Sequence, residues 1–133
     1  MGFDWPYYLN VAQELTEQAE DAPPELQEAK YRAAISRAYY AVFGRARYHL
    51  LHIDGRKEPA YLNPHNHVTN TFIDDPDPDR QRIGRHLSRM RDDRNAADYD
   101  IQNDRLINIA ACAKTNLKWA KTIFGLLDLI QTK

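Results

Sequence analysis

The sequence predicts an all-α protein: an antiparallel bundle of four main helices, with a long, partly ordered loop between the second and the third. Apolar residues recur at steps of three and four along four segments, the spacing that places side chains on one face of an α-helix. No segment alternates apolar and polar residues as a half-buried strand would. A chain of 133 residues suits one domain, so we expect a single helical domain over 1–133.

The first helix follows Asp4, which we expect to be its N-cap, and ends before Pro23-Pro24. The second runs from about Glu25 to about His52. Its stretch AYYAVF is apolar on every side, which is typical of a helix at the centre of a fold. The apolar face of the first helix consists of Trp5, Tyr8, Ala12, Leu15 and Ala19.

The connection from Ile53 to Asp79 is rich in glycine and proline, and only HNHVTNTF in it resembles a short helix. Four aspartates close this connection. They suggest either a cation site or helix capping, and the prolines between them favour capping. These aspartates are Asp74, Asp75, Asp77 and Asp79.

The third helix is expected from about Asp79 to about Ala97, and the fourth from its predicted N-cap Asn103 to about Gln131. The fourth carries a long apolar seam that should pack nearly parallel to its neighbours. Cys112 lies beside this seam, has no cysteine to pair with and is expected to be a buried small residue. The seam consists of Leu106, Ala110, Ala113, Leu117, Ala120, Phe124 and Leu127.

Composition restricts the function. With 18 Lys and Arg against 19 Asp and Glu, the formal charge is -1, so any site for a polyanion must be local. No apolar window reaches the roughly 18 residues of a membrane span, and the N-terminus lacks the pattern of a secretory leader. We therefore expect a cytoplasmic protein without a membrane partner.

Arg94 is the most informative residue of the third helix. Ile83, Leu87, Met90, Arg94 and Ala97 follow one another at helical steps, so Arg94 lies on the apolar stripe. An arginine keeps its charge when buried and needs an anion there. That anion is either an internal carboxylate such as Asp98 or a bound ligand.

The rest of the third helix is also basic. Six arginines within fifteen residues, against Asp92 and Asp93, give this segment a formal +4. The run is either a solvated face or a strip that binds phosphate. Its basic residues are Arg80, Arg82, Arg85, His86, Arg89, Arg91 and Arg94.

The second helix contributes further candidates, namely Arg37, Tyr40 and His49. Tyrosines in such a helix are usually core residues with a bonded hydroxyl, and His49 shares its face with apolar residues, as a core or cleft histidine would. His65 and His67 lie in the connection, and HNH without further ligands is not a metal motif. We expect no metal site and no cofactor.

Two blocks, AAISRAYYAVFGRARYHL in the second helix and RMRDDRNAADYD at the end of the third, make this chain resemble the HEPN domains. The resemblance implies a four-helix bundle that pairs with a second copy around a shared cleft. It implies metal-independent ribonuclease activity in active members. It further implies RNA or a nucleotide as ligand, and a minimal nucleotidyltransferase as a partner in toxin-antitoxin or defence systems.

The family's active motif is an arginine, four to six intervening residues and a histidine. Arg94-Asn95 matches its start, but Tyr99 follows after four residues and Ile101 after six. The second helix reads Phe43-Gly44 where related sequences often read FH. The nuclease motif is therefore degenerate.

Metal-free RNA cleavage needs a base, an acid and a cation for the charged phosphorane. The resemblance assigns the cation to Arg94, beside Asn95. Tyr99 can then only donate a proton, and Asp98 is the base if burial raises its pKa. His49 or His86 replaces the missing histidine only if the fold or a partner subunit brings it close.

Three functions follow from these observations. The first is a dimeric protein that binds RNA or a nucleotide. The second is an active endoribonuclease toxin, and the third is a non-catalytic bundle that binds a nucleotidyltransferase. The ligand-binding residues expected for the first function are Arg94, Arg91, Arg89, Arg37, Tyr40 and His49.

Overall fold

The computed structural model describes residues 4–100 and 106–131, and over these residues the chain is all-helical, as predicted. Five helices pack together, and none of those described is long and apolar enough to cross a lipid bilayer. The helices are α1 (Pro6–Glu20), α2 (Pro24–Tyr48), α3 (Pro64–Ile73), α4 (Pro78–Tyr99) and α5 (Ile109–Gln131), and a π-helical turn, His49–Ile53, follows α2.

Prolines set the starts of four helices. Pro6, Pro24, Pro64 and Pro78 each occupy the first turn of their helix, where the missing N–H would have no helical partner and the fixed φ suits the helix. The segments predicted for α1, α2 and α4 are confirmed to within a few residues.

Side-chain caps accompany two of these prolines. The Asn63 side chain accepts hydrogen bonds from the backbone of His65 and Asn66 at 2.9 and 3.3 Å, which caps α3. Asp77 accepts from the backbone of Arg80 at 3.0 Å, so the predicted capping at the start of α4 is confirmed for this aspartate.

The expected cap of α1 is wrong. The N-cap is Trp5, and Asp4 contributes its backbone carbonyl, which accepts from the Tyr7 N–H at 3.0 Å. The helix begins one residue later than the sequence suggested because Pro6 takes its first position. The predicted cap of the last helix, Asn103, lies outside the described residues.

Helix α2 lies at the centre of the fold, as its apolar stretch predicted. It contacts each of the other four helices, and Ala38, Tyr39, Ala41 and Val42 are buried. Burial of such side chains provides most of the driving force for folding.

The predicted seam of α5 packs onto this core, since Ala113, Leu117, Ala120 and Leu127 are buried. Cys112 packs against the core cluster that contains Leu106 and Ala113, but it is only half-buried, so the expectation of a buried residue is wrong. It lies beside the seam, between the buried face of α5 and the face that is exposed to solvent.

The connection between α2 and α4 is more ordered than the sequence indicated. Helix α3 extends over ten residues, packs against α4 and buries Val68 and Phe72. Gly84 permits the close approach, because a Cβ atom there would lie 2.6 Å from the backbone nitrogen of Ile73. The architecture therefore has a fifth packed helix where a partly ordered loop was expected.

Hydrogen bonds connect the segment that follows the π-helical turn to the start of α4. Arg80 donates two hydrogen bonds to the Asp54 carboxylate, at 2.7 and 2.9 Å. The fully buried His49 places its Nε2 3.4 Å from the same carboxylate. Burial lowers the pKa of His49, so the imidazole is neutral near pH 7.

Candidate functional site

Arg94 lies on the inner face of α4 and is 6% exposed, so the prediction that it belongs to the apolar stripe is confirmed. Its Nη1 donates to the hydroxyl of Tyr40 at 3.2 Å. The guanidinium carbon lies 5.1 Å from the ring centre of Tyr39 and 5.3 Å from that of Tyr40. Two aromatic faces on α2 thus stabilise the cation.

Asp98, one turn further along α4, is the carboxylate nearest to this cation. Its Oδ2 lies 3.8 Å from Arg94 Nη1, beyond hydrogen-bonding distance, and accepts from the Ser36 hydroxyl at 3.3 Å. The Nε of Arg94 is buried and has no acceptor among residues 4–100 and 106–131. The guanidinium therefore retains donor capacity that its described neighbours do not use.

His65, near the start of α3, meets the same tyrosines. Its Nδ1 lies 2.6 Å from the Tyr39 hydroxyl, and its ring stacks on Phe43 with 4.2 Å between ring centres. Burial, together with the charges of Arg94 and Arg91, lowers the pKa of His65 to about 4. The ring is therefore neutral near pH 7.

Burial raises the pKa of Tyr39, although Arg91 and Arg94 oppose this change. Its phenol therefore stays protonated. Because a phenol donates a proton more readily than a neutral imidazole does, we assign the hydroxyl as donor to His65 Nδ1. The remaining imidazole hydrogen is then on Nε2.

Two further arginines stand beside this group. Arg91 donates to the side-chain oxygen of Asn66, and Arg37 lies over the rings of Tyr8 and Tyr40, at 5.5 and 5.7 Å. Neither forms an ion pair within the part of the chain that is described. We call the following residues the Arg94 cluster: Arg37, Tyr39, Tyr40, His65, Arg91, Arg94 and Asp98.

The structure brings together several residues that the sequence singled out, namely Arg94, Arg91, Arg37, Tyr40 and Asp98. Asn95 points to solvent, and Tyr99 is 74% exposed at the end of α4. Five positions separate Tyr99 from Arg94, which is about 140° around a helix. The tyrosine in the place of the family's histidine therefore points away from Arg94.

The other predicted residues lie elsewhere. His49 contacts Asp54 and Arg80. Arg89 is exposed on the side of α4 that carries His86, whose ring is 5.9 Å from that of Trp119 on α5. Neither His49 nor His86 is brought to Arg94.

His65 is the residue that the sequence did not identify as part of the site. Asn63-Pro64 is the signature of a capped helix start, and it could have predicted that His65 lies in the first turn of a helix. Nothing local shows that this turn packs against Tyr39. That contact joins residues 26 positions apart.

Chemically, the cluster can hold an anion. It contains three guanidinium groups and one carboxylate, of which only Arg94 lies within 4 Å of Asp98, and arginine matches the geometry of phosphate. Within the described residues no group of three His, Cys, Asp or Glu side chains could hold a metal ion. No protein-family model, curated protein or solved structure matches this chain.

Proposed function

We propose that this chain is a HEPN-like protein that binds RNA or a nucleotide as a homodimer, with the phosphate at the Arg94 cluster, and that its nuclease motif is degenerate. The observation that carries the proposal is the buried guanidinium of Arg94. Among the residues described, its sole carboxylate neighbour is Asp98, at 3.8 Å.

The energetic argument starts from the cost of burial. A buried cation is costly unless a well-placed anion compensates it, and an ion pair at 3.8 Å without a direct hydrogen bond compensates it incompletely. A phosphate oxygen that joins or replaces the Asp98 carboxylate would accept from the guanidinium. The partly exposed Arg91 and Arg37 would add positive charge nearby.

The neutral His65 supports a binding role more than a catalytic one. With Nδ1 occupied by the Tyr39 hydroxyl, Nε2 carries the hydrogen and donates to a phosphate oxygen. A histidine whose pKa is about 4 is almost never protonated near pH 7, so it is a poor general acid there.

The test is RNA binding at two salt concentrations, about 50 and 200 mM, with a labelled oligomer of roughly ten nucleotides. We expect Arg94→Ala to weaken binding about tenfold and Arg91→Ala to lower the salt dependence by about one phosphate contact. Arg85→Ala is the matched control because Arg85 is exposed on another side of α4. Affinity that is independent of both salt and Arg94 would contradict the proposal.

Two further measurements complete this test. Circular dichroism must show that the Arg94→Ala protein is folded, and Arg94→Lys, which keeps the charge but not the planar fork, should bind with intermediate affinity. The homodimer is proposed on the HEPN resemblance, and sedimentation equilibrium tests it directly.

A second candidate function is metal-independent RNA cleavage, which the position of His65 beside Arg94 favours. In that case Arg94 stabilises the phosphorane, Asp98 is the base that takes the 2′-hydroxyl proton, and the Nε2 hydrogen of His65 donates to a phosphate oxygen. Cleavage should resist EDTA and be lost in both His65→Ala and Arg94→Ala. Equal degradation by the wild type and Arg94→Ala would identify a contaminant and exclude this function.

A further inference from the structure

A groove of about 1000 Å³ lies beside the Arg94 cluster, between the start of α1, the second half of α2 and the π-helical turn. Its walls are rich in aromatic rings. We call it the aromatic groove, and its rings are those of Trp5, Tyr40, Phe43, Tyr48 and His52.

Gly44 creates the space for the indole of Trp5 in this wall. A Cβ atom at Gly44 would lie 2.4 Å from the indole ring, a distance that carbon atoms do not tolerate. Only glycine therefore allows the start of α1 to place an indole directly on α2. The second half of α2 contributes the remaining large rings, and those of Tyr48 and His52 are 4.8 Å apart.

The aromatic groove and the Arg94 cluster are adjacent and share side chains of α2. Tyr40 belongs to both, because its hydroxyl accepts from Arg94 while its side chain also lines the groove. Phe43 lines the groove and stacks on His65. An extended ligand that passes Tyr40 would place an anion at the cluster and its next chemical group against these rings.

The polar residues around the groove fit a nucleic-acid base. Arg45 lies over the ring of Tyr48 at 5.6 Å, and Arg47 contributes a second cation, paired with Glu58. Asp4 and Gln131 also line the groove. The Asp4 carboxylate can accept from the amino group of a base, whereas the side-chain oxygen of Gln131 already accepts from Arg45 at 3.1 Å.

We propose that the aromatic groove is a nucleobase subsite, which stacks one base of single-stranded RNA whose adjacent phosphate occupies the Arg94 cluster. This inference rests on the function proposed above. It requires a single strand because the bases of a duplex are stacked on each other and cannot reach a protein ring. Aromatic rings interleaved with arginines are the usual platform for such strands.

The experiment compares two RNA-like oligomers of about six nucleotides, one of adenine nucleotides and one abasic oligomer with the same phosphates. The chain has two tryptophans, Trp5 and Trp119. In the Trp119→Phe variant Trp5 is the one that remains, so its fluorescence reports on the groove. We expect the adenine oligomer to quench Trp5 and to bind about tenfold more tightly than the abasic one.

Variants locate the effect. Trp5→Leu and Tyr48→Leu are each made in the chain that retains Trp119. Each should lower the ratio of the two affinities, adenine oligomer over abasic oligomer, toward one, while the affinity for the abasic oligomer stays the same. Tyr61→Leu is the control, since Tyr61 is 87% exposed and does not line the groove. Because Tyr48 is half exposed, its substitution tests the subsite even if Trp5→Leu fails to fold.

Three outcomes are distinguishable. A preference for the adenine oligomer that depends on Tyr48 supports the subsite. Equal, salt-dependent binding of both oligomers overturns the subsite and leaves the phosphate function standing. If the protein binds neither oligomer, both proposals are overturned, and a protein partner becomes the candidate ligand of the groove.

Discussion

The hydroxyl of Tyr39 lies 2.6 Å from Nδ1 of His65 and joins the central helix to α3. Tyr39 is fully buried, so the bond forms where water cannot replace it. It links the packing of α3 to the Arg94 cluster, because the guanidinium of Arg94 lies over the ring of the same tyrosine.

Removal of this hydroxyl should affect both stability and the titration of His65. In Tyr39→Phe, we expect a loss of about 1 kcal/mol in the free energy of unfolding. The pKa of His65 should rise from about 4, because the hydroxyl that stabilised the neutral ring is gone. Urea denaturation and NMR titration measure the two effects, with the exposed Tyr61→Phe as control. An unchanged pKa would show that the phenol is not the donor.

Stability should fall as the pH drops below about 6.5. The pKa of His65, His49 and His86 is lowered in the folded chain, mainly by burial. The unfolded chain therefore binds protons that the folded chain does not. Stability is complete above the ordinary histidine pKa and decreases toward pH 4, by at most about 1.4 kcal/mol per pH unit for each histidine.

Unfolding in urea at a series of pH values measures this slope. His65→Gln should flatten it in part, because His49 and His86 continue to titrate. His52→Gln is the control, since His52 is exposed. A slope in His65→Gln equal to that of the wild type would contradict the assignment.

Two helical glycines should respond to alanine in opposite directions. At Gly84 the new Cβ would meet the backbone of Ile73 at 2.6 Å, whereas at Gly125 nothing lies within 4 Å. We expect Gly84→Ala to destabilise the fold by about 1–3 kcal/mol. Gly125→Ala should stabilise it by up to about 1 kcal/mol. Thermal denaturation compares them, and equal shifts would contradict the close packing of α3 on α4.

The carboxylate of Asp54 should matter for the fold and not for ligand binding. Asp54→Ala leaves Arg80 without two hydrogen bonds, and we expect a loss of about 2 kcal/mol in the free energy of unfolding. RNA affinity should be unchanged where the protein is folded, because this network makes no contact with Arg94. Asp74→Ala, at an exposed aspartate, is the control. Weaker RNA binding by folded Asp54→Ala would contradict this separation.

The sequence predicted the helices well because they depend on local signals. Pro6, Pro24 and Pro78 set their starts, and apolar steps identified their buried faces. The same steps identified Arg94 as buried, because three- and four-residue spacing is a property of one helix. The first turn of α3 was different, since a short polar segment reveals little of what it packs against.

Which residues form the site depends on tertiary contacts, and these cannot be predicted from a local sequence pattern. Asp98 was expected beside Arg94 because one helical turn separates them. Tyr99 was expected to serve by analogy with a histidine, but its position on the helix points it to solvent. His65 reaches the site only through the packing of α3, a non-local contact. Helix periodicity thus predicted the residues of α4, and tertiary packing decided which of them meet α2 and α3.

The effect of Asp98→Ala on RNA binding distinguishes a ligand site at Arg94 from a structural ion pair. If the Arg94 cluster binds phosphate, the Asp98 carboxylate competes with the ligand for Arg94, and its removal adds one net positive charge. Asp98→Ala should then bind RNA several-fold more tightly, with a steeper salt dependence. Asp92→Ala is the control for charge alone, because Asp92 is an exposed aspartate of the same helix.

The same variant also separates binding from cleavage. If Asp98 is a general base, Asp98→Ala loses any EDTA-resistant cleavage of RNA while its affinity rises. If Arg94 and Asp98 only stabilise the fold, the free energy of unfolding falls and the affinity does not change. That last result, in a protein shown to be folded, would contradict the proposed phosphate site, because a phosphate beside Arg94 must respond to the carboxylate 3.8 Å from it.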